Sequence, residues 1–583
     1  MKRCPQCKRV ETDDALVFCR ADGTPLVNDS GSVSAEGGTA KFVSSPAASE
    51  IETSVLPQHA TDAGMSRATG PTTVLDRQQT IGRTHELSKP KWRRPGVVVG
   101  CALLIILSIT AVVIGTRYFS KKSAANETSL ESIAVLPFVN VTADPNTEYL
   151  ADGVTDSLIY DLSKLSGLKV KSHSSVFRYK GKDTDPQTVG KDLGVQAVLT
   201  GRITQRGDGL VINTELVEVG SNNVLWGQQY NRRLSDAQAV QSEIAKEVSA
   251  KLRLKLAGGP QGTNNPVSPE AYQAYLKGRY YYLQFTEESE QKAIEHFNQA
   301  ISLDPNYARA FAGLALVYTE ISSQYVPPSE AMPKAKQAVL RALALDGSLA
   351  DAHLALAEIH WWSDWDFPAA ELEFRRAIEL NSNEPSAYSD YAMFLARTLG
   401  RSDEAIVMAD RALQLDSLSL AIHNDVAFTF YYARQYDRVA QEANKMLELD
   451  HNSVHGSGWL GAAYLQKGQY EQAIPELQKA VDPHSGDGLD RLGYAYALAG
   501  RKSEALKTLA QMEALSERKY VSPYAIARVY SGLGEKERVF RWLEKAYAGG
   551  DDGLTKLKTD PIFDSLHSDP RFTDLARRIG LPQ

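Results

Sequence analysis

Cysteine is scarce in this chain, and the positions of the few cysteines exclude one class of protein. Only four occur in 583 residues, three of them before residue 20 and none after residue 101. Secreted domains that depend on disulfides carry more cysteines and spread them through the fold. A disulfide-stabilised extracellular scaffold is therefore excluded.

A large excess of either charge is also absent. The formal net charge is -7, from 64 basic and 71 acidic residues, which argues against a nucleic-acid-binding surface along the whole chain. Hydrophobic residues make up 43% and charged residues 23%. This ordinary globular balance excludes a wholly disordered chain and a polytopic membrane protein.

Sequence motifs for catalysis are missing as well. The chain has no Walker A phosphate loop, no dinucleotide-binding glycine motif, no H-E-x-x-H, no G-x-S-x-G and no protein-kinase motif set. Its eleven histidines are scattered, and isolated ones such as His353 and His423 are expected to be structural or solvated. We therefore predict that the protein is not an enzyme.

The first three cysteines have the spacing of metal-binding knuckles. Cys4 and Cys7 form a C-x-x-C pair, and Cys19 and Asp22 repeat that spacing with a carboxylate in the last position. Zinc accepts thiolate sulfur and carboxylate oxygen, usually as four ligands in a tetrahedron. A segment this short cannot bury a core, so a metal would supply most of its folding energy. The alternative is three unligated thiols on an unstructured terminus.

The two knuckles, C-P-Q-C and F-C-R-A-D-G-T-P-L, resemble those of a small bacterial zinc ribbon. The resemblance implies a ribbon over residues 1–27 that holds one structural Zn2+ ion through Cys4, Cys7, Cys19 and Asp22. The family usually has a cysteine where this chain has Asp22, so a water molecule or another residue is the alternative fourth ligand. Basic and acidic residues around the knuckles are balanced, and we do not expect them to bind DNA.

A flexible linker and a membrane span are predicted next. About half of residues 28–88 are Ser, Thr, Gly, Ala or Pro, which cannot bury enough apolar surface to fold, and we assign the linker to 28–95. Residues 96–116 carry no charge and, as a helix, match the ~30 Å hydrocarbon core. With aromatic residues at both ends, they predict one transmembrane helix over 96–118. A buried core helix is the alternative, but it would not normally be apolar on every face.

Basic residues flank the predicted span, four before it and three after it. The positive-inside rule then favours a cytoplasmic N-terminus, and thiols on that side fit a reducing compartment. We expect a single-pass protein of the bacterial inner membrane. Its C-terminal domains would lie in the periplasm or outside the cell.

Residues 130–256 alternate between strand and helix patterns and predict a mixed α/β domain. Strands are expected over 132–139, 168–170, 197–204, 210–217 and 223–229, with a hairpin turn at 207–209. Helices are expected over 148–165, 185–193 and 237–256. Trp226 is assigned to the core of this domain rather than to a ligand site.

Short motifs in this block carry a second resemblance. They are I-A-V-L-P-F at 133–138, D-P at 144–145, E-Y-L-A-D-G at 148–153, L-G-V-Q-A-V-L-T-G at 193–201 and L-W at 225–226. They resemble the α/β domain of bacterial TolB-amino-terminal-like and FlgO-like proteins, which also occurs beside cyclase, kinase or winged-helix regulator domains and tetratricopeptide repeats. The resemblance implies an envelope-associated accessory domain. Similar proteins more often carry an aromatic residue where this chain has Ala197.

Acidic residues near the start of the domain raise the question of a catalytic site. Glu148, Asp152 and Asp156 fall at i, i+4 and i+8 and therefore share one helical face, with Asp144 just before them. We favour the simpler interpretation, in which Glu148 complements the helix dipole and a solvated face follows. A hidden enzyme that uses Asp152 and Asp156 is the alternative.

The C-terminal half repeats with a period near 34 residues, which is the tetratricopeptide signature. Its clearest unit runs from Trp459 to Ala480. The residue that opens each second helix recurs at Ala293, Ala335, Ala370, Ala405, Val439, Ala473, Ala505 and Val539. The resemblance to the tetratricopeptide family implies about eight helix pairs over 269–547. A short helix pair in 548–583 would cap the last repeat.

The expected fold is therefore multi-domain: a small zinc ribbon, one transmembrane helix, an α/β domain and an all-α tetratricopeptide superhelix. Such a superhelix usually binds protein segments on its concave wall. Aromatic runs such as Tyr280 to Tyr282 and Trp361 to Trp365 are mostly expected in the core, with two or three contacting a ligand. We predict a single-pass membrane scaffold that binds protein and not nucleic acid. The alternative is a transmembrane signalling or transcription-linked sensor, with the cytoplasmic ribbon as its output module.

Overall fold

The computed structural model describes residues 2–3, 10–11, 27–28 and 130–582, except 166, 183, 253–266, 285, 323–325 and 483–485. The chain divides into two compact units, Met1–Gly100 and Cys101–Gln583. The four predicted zinc ligands, most of the predicted linker and the predicted span lie outside the described residues. Within the described residues, no helix is both long and apolar enough to cross a membrane.

Three two-residue strands are described in the first unit. They are β1 (Lys2–Arg3), β2 (Val10–Glu11) and β3 (Val27–Asn28). They form an antiparallel sheet in the order β2-β1-β3.

The described part of the second unit begins with an α/β domain, as predicted. Its strands are β4 (Ser132–Val135), β5 (Val139–Asn140), β6 (Lys169–Val170), β7 (Ala197–Arg206), β8 (Gly209–Glu218) and β9 (Asn223–Arg233). The order is β6-β4-β7-β8-β9, with β5 also paired to β7. Strand β4 is parallel to its neighbours, whereas β7, β8 and β9 form an antiparallel meander.

One predicted strand is divided in two. The run expected over 132–139 breaks around Pro137, which has no N–H to donate to a neighbouring strand. Phe138 then turns inward, where its backbone N–H donates to Thr155 Oγ1 at 3.0 Å. Its ring covers Gly201, and a Cβ at that glycine would lie 2.4 Å from the ring. The spacing of these motif residues therefore has a packing explanation.

Four helices complete the α/β domain. They are α1 (Glu148–Ser163), α2 (His173–Phe177), α3 (Pro186–Leu193) and α4 (Ala237–Lys251). Helix α2 was not predicted. Trp226 is 9% exposed and donates to Glu247 Oε2 at 2.9 Å, which confirms its place in the core.

Eight helix pairs follow in the described residues between Pro269 and Ala548. Their first helices are α5 (Pro269–Tyr282), α7 (Ala308–Ile321), α9 (Ala350–Ile359), α11 (Pro385–Phe394), α13 (Leu420–Tyr432), α15 (Val454–Gln466), α17 (Leu489–Leu498) and α19 (Pro523–Gly532). Their second helices are α6 (Glu287–Leu303), α8 (Pro328–Leu345), α10 (Phe367–Leu380), α12 (Ser402–Leu415), α14 (Tyr436–Leu449), α16 (Tyr470–Lys479), α18 (Lys502–Ser516) and α20 (Lys536–Ala548). The array is of the tetratricopeptide type.

Several second helices end in the same way. An Asp or Asn side chain terminates each of them. Asp304, Asp346, Asn381, Asp416 and Asp450 each accept a hydrogen bond from the backbone N–H two residues later. Such Asx turns stop a helix and redirect the chain. The six predicted alanines that open second helices are fully buried, because the two helices of a pair cross closely there.

The C-terminal segment differs from the predicted helix pair. It consists of two 3-10 turns, Asp552–Lys556 and Pro561–Leu566, followed by helix α21 (Pro570–Ile579). The side chains of Asp551 and Asp560 accept from the N–H groups of Gly553 and Ile562, and these short caps favour tight turns over a first long helix. Leu554, among other apolar residues of this segment, is fully buried.

Candidate partner-binding face

Several first helices of neighbouring pairs lie side by side, and we call the surface that the first helices form the inner face. Helix α7 contacts α9, α11 contacts α13, and α17 contacts α19. Each second helix packs behind its own first helix. A wall built in this way is the surface that helical repeat proteins offer to a partner.

Four carboxylates on the inner face form a group that we call the acidic row. Its members are Glu320, Glu358, Asp390 and Asp425, on α7, α9, α11 and α13 respectively. Glu358 is only 8% exposed, whereas the other three are partly exposed. Four successive repeats thus each contribute one acidic group to the same surface.

The donors that contact Asp425, the last member of the acidic row, are neutral. Ser389 Oγ donates to Asp425 Oδ2 at 3.0 Å, and Asn424 Nδ2 donates to Oδ1 at 3.3 Å. Among the residues that the structure describes, no lysine or arginine forms a salt bridge with Glu358, Asp390 or Asp425. A buried carboxylate without a counter-charge is costly to ionise.

The pKa values of the row reflect this cost. Burial, followed by the charges of Glu320 and Asp425, raises the pKa of Glu358. Burial and then Glu358 raise the pKa of Asp390 well above its usual range. Burial also raises the pKa of Asp425, and Glu320 adds to that rise. The negative charges of neighbouring acids thus add to the cost that burial places on ionising these three groups.

A further acid lies beside the row. Glu290, in the first turn of α6, is 2% exposed, and its Oε2 atom has no hydrogen-bond partner among the described residues. Burial, followed by the charge of Glu320, raises its pKa to about 7.

Two arginines just beyond first helices contact the C-terminal segment of the chain. Arg397, just beyond α11, donates to Asp552 O at 2.6 Å and to Asp552 Oδ2 at 3.0 Å. Arg434, just beyond α13, donates to Asp564 Oδ1 at 2.8 Å and Oδ2 at 2.9 Å. An acidic segment of the same chain thus lies across the C-terminal ends of two first helices.

The predicted acidic face of α1 is buried, not solvated. Asp152 and Asp156 are 7% and 6% exposed, because helix α1 packs against α5 of the first repeat. Asp156 pairs with Arg279 of α5 at 3.0 Å, and Lys180 reaches Asp152 at 2.6 Å. The sequence predicts three acidic residues on one face of α1, but it does not reveal the cations that pair with them.

A cavity of about 330 Å³ remains at this junction. Its lining includes Asp152, Lys180, Arg279 and His173. His173 stacks on Phe177 with ring centroids 3.7 Å apart, and burial lowers its pKa to about 4, so the imidazole is neutral near pH 7. Because the cations of the cavity already pair with its carboxylates, the arrangement has the character of a structural ion-pair network.

Part of the aromatic runs belongs to the core. Trp361 is fully buried and donates to Thr398 Oγ1 at 2.7 Å, and Tyr431 and Tyr432 are 3% and 5% exposed. Trp362 and Trp365 differ, because their indole N–H groups have no partner among the described residues. Within the described ranges, no three His, Cys, Asp or Glu side chains are placed to hold a metal ion.

Two family models match parts of the chain. One, described as the second domain of HilA/YgeH-like transcriptional regulators, matches residues 129–247. The other, a tetratricopeptide repeat, matches residues 457–482. The α/β domain is therefore similar to the second domain of those regulators, and its predicted relation to TolB-like domains stays a prediction.

Two curated proteins are similar over longer stretches. "Putative adenylate cyclase 3" of Rhizobium meliloti is 35% identical over 236 residues, which are 40% of this chain and 40% of that protein. The match thus spans less than half the length of that relative. Transcriptional regulator HilA of Salmonella typhimurium is 23% identical over 425 residues, 70% of this chain and 74% of that protein.

Among solved structures, PilF of Pseudomonas aeruginosa is 19% identical with a TM-score of 0.29, over 40% of this chain and 97% of that chain.

Proposed function

We propose that this protein is a single-pass membrane-anchored scaffold whose repeats bind a protein segment along the inner face. The acidic row is the observation that carries this proposal. Three of its carboxylates, those of Glu358, Asp390 and Asp425, come from different helices and form no salt bridge with a lysine or arginine among the described residues, and those of Asp390 and Asp425 are partly exposed. A partner that compensates their charge would gain affinity from groups that the scaffold cannot satisfy alone.

Photo-cross-linking from the inner face tests the scaffold function. A photoreactive phenylalanine analogue would replace Met393, a half-buried residue one turn beyond Asp390 on α11. The matched control replaces Leu372, which is 66% exposed on the second helix α10. We expect a protein adduct in cells from position 393 and not from position 372. Equal labelling at both positions, or no adduct at either, would contradict the proposal.

The membrane anchor over residues 96–118 is part of the same proposal. It is supported by the uncharged run of residues 96–116 and its aromatic and basic flanks. A Ser221→Cys variant with Cys101 replaced by alanine would report on which side of the membrane the C-terminal unit lies, because residue 221 is exposed. We expect a membrane-impermeant maleimide to label residue 221 in intact cells. Protection until lysis would place the repeats in the cytoplasm instead.

The N-terminal ribbon, we propose, holds one structural zinc ion. Strands β1, β2 and β3 support this, because Cys4 and Cys7 lie between the first two in sequence and Cys19 and Asp22 between the last two. Metal analysis of the purified chain should give one zinc per molecule. Cys4→Ser should lose it, and Asp22→Cys should retain it more tightly. An unchanged zinc content in Cys4→Ser would contradict this assignment.

The second candidate function is a signalling or transcription-linked sensor with the ribbon as output. It is favoured by the match of residues 129–247 to a domain of transcriptional regulators and by the names of the two curated relatives. Comparing transcript levels in cells that carry the wild-type chain or Cys4→Ser separates the two functions. Changed transcripts with normal cross-linking at position 393 would favour the sensor. Unchanged transcripts would favour the scaffold.

A further inference from the structure

The cavity between α1, α2 and α5 contains a buried carboxylate that the ion pairs around it do not satisfy completely. Asp152, one of the lining residues, is only 7% exposed. Its Oδ2 atom accepts from Lys180 Nζ at 2.6 Å, but its Oδ1 atom has no hydrogen-bond partner among the described residues. Buried polar atoms of this kind are normally satisfied. Because Asp152 lines the cavity, a donor held there is within reach of this carboxylate.

Carboxylates outnumber cations around the cavity, because each of its two cations is shared between two carboxylates. The pairs are Lys180 with Asp152 at 2.6 Å and Glu148 at 2.8 Å, and Arg279 with Asp156 at 3.0 Å and Asp351 at 3.8 Å. The neutral imidazole of His173 adds no positive charge. A ligand that carries a positive charge would reduce this imbalance, whereas an anion would find both cations already paired.

Four half-buried side chains give the cavity an aromatic and apolar surface. Phe177 stacks on His173, and Tyr280 and Leu283 also line the cavity. Aromatic rings attract a cation that lies over their faces within about 6 Å. The volume of about 330 Å³ is at the lower end of the range for small-molecule pockets, about 300–1,000 Å³. The cavity therefore suits a small ligand that has both an apolar body and a positive group.

We propose that this cavity binds a small organic amine with an apolar body. Its ammonium group would donate to Asp152 Oδ1, and its body would lie against Phe177 and Leu283. Because the lining residues come from both the α/β domain and the first repeat, the ligand would contact both. None of them belongs to the acidic row, so this inference goes beyond the scaffold function and does not depend on it.

Titration calorimetry on the full-length purified chain tests the proposal. The probes are 2-phenylethylamine, 2-phenylethanol and phenylacetate, which share a phenyl ring and carry a positive, a neutral and a negative end group. The site variant is Asp152→Asn, whose amide oxygen can still accept from Lys180 while its NH2 group replaces the unpartnered oxygen. The control variant is Asp192→Asn, because Asp192 is exposed on α3 and does not line the cavity. Both variants remove one negative charge from the same domain.

We expect the wild-type chain to bind 2-phenylethylamine at least tenfold more tightly than 2-phenylethanol and not to bind phenylacetate. Asp152→Asn should weaken amine binding at least tenfold, and Asp192→Asn should weaken it less than twofold. No detectable amine binding would show that solvent alone fills the cavity and would overturn the proposal. Equal weakening by both variants, or binding of the alcohol or phenylacetate as tightly as the amine, would also overturn it.

A second variant tests the position of the site without altering Asp152. Gln284 is exposed although it lines the cavity, so Gln284→Trp should fold normally and place a bulky ring where the ligand would enter. We expect it to weaken amine binding at least tenfold. Unchanged amine binding by Gln284→Trp would place the ligand elsewhere and overturn the assignment of the cavity, even if Asp152→Asn fails to fold.

Discussion

Replacing Arg279 should loosen the junction between the α/β domain and the first repeat. Its guanidinium pairs with Asp156 at 3.0 Å and with Asp351 at 3.8 Å, and its side chain is only 13% exposed. Removing one partner of a buried ion pair typically costs about 3–5 kcal/mol, because the other charge stays buried without compensation. Arg279→Met keeps the length of the side chain and removes its charge, so we expect a loss near the lower end of that range.

Hydrogen exchange measured by mass spectrometry gives the most direct readout, because it reports each helix separately. A loss of about 3 kcal/mol corresponds to roughly a hundredfold faster opening. We expect that acceleration in α1 and α5, with helices such as α18 unchanged. The double variant Arg279→Met/Asp156→Leu removes both charges and should recover most of the protection.

Two results would refute this reasoning. Unchanged exchange in α1 and α5 of Arg279→Met would show that the ion pair contributes little to the junction. A double variant as labile as the single one would show that the loss comes from side-chain packing and not from the uncompensated Asp156.

Three further predictions concern the repeats and their ends. Gly461→Ala should lower the melting temperature and cost about 1–3 kcal/mol of stability, because a Cβ there would lie 2.7 Å from Leu477 Cγ. The control variant Gly220→Ala should not lower it, because nothing lies within 4 Å of the added carbon. Arg397→Ala should speed proteolysis between residues 548 and 566, and unchanged cleavage would contradict the role of Arg397 in holding that segment. Burial raises the pKa of Glu290 and of Glu384 to about 7 in the folded protein. Because this pKa lies above the value near 4.5 in the unfolded chain, the protonated carboxyl groups stabilise the folded state at low pH. Their contribution to stability is fully present below about pH 4.5 and is lost as the pH rises through about 7. The melting temperature should therefore be higher at pH 5.5 than at pH 8.5, and Glu290→Gln should reduce the difference.

The repeat array could be predicted because each helix pair carries its own local signals. The buried alanines and the Asp or Asn at the end of second helices recur within the sequence, and each acts on a neighbour a few residues away. The acidic row could not be found in that way. Its members are more than 30 residues apart in the sequence, so only the stacking of the helices places them on one surface.

Local departures from the regular helix pattern could not be predicted from the sequence either. Helices α9 and α11 both continue into a π-helical turn, His360–Asp364 and Leu395–Leu399. The turns end at Trp365 and Gly400, which have positive φ angles of 53° and 67°. A tryptophan rarely adopts that conformation. Its ring lies 5.6 Å from that of Tyr547, so a contact from 180 residues later accompanies the unusual backbone.

The burial of α1 shows why the α/β domain belongs to the architecture of the repeats. A solenoid needs a cap at each end, because a terminal repeat would otherwise expose its apolar face, and the sequence indicated only the C-terminal cap. Helix α1 supplies the other one. At Gly153 it approaches α5 so closely that a Cβ would lie 2.9 Å from Leu276 Cβ, and Tyr272 OH donates to Gln241 Oε1 of α4 at 2.7 Å. The motif glycine therefore serves close helix packing, and the first repeat has no free end in the described structure. A partner bound at the acidic row would then meet a wall whose N-terminal end is fixed by the α/β domain and whose fourth and fifth helix pairs are joined to the C-terminal segment by Arg397 and Arg434.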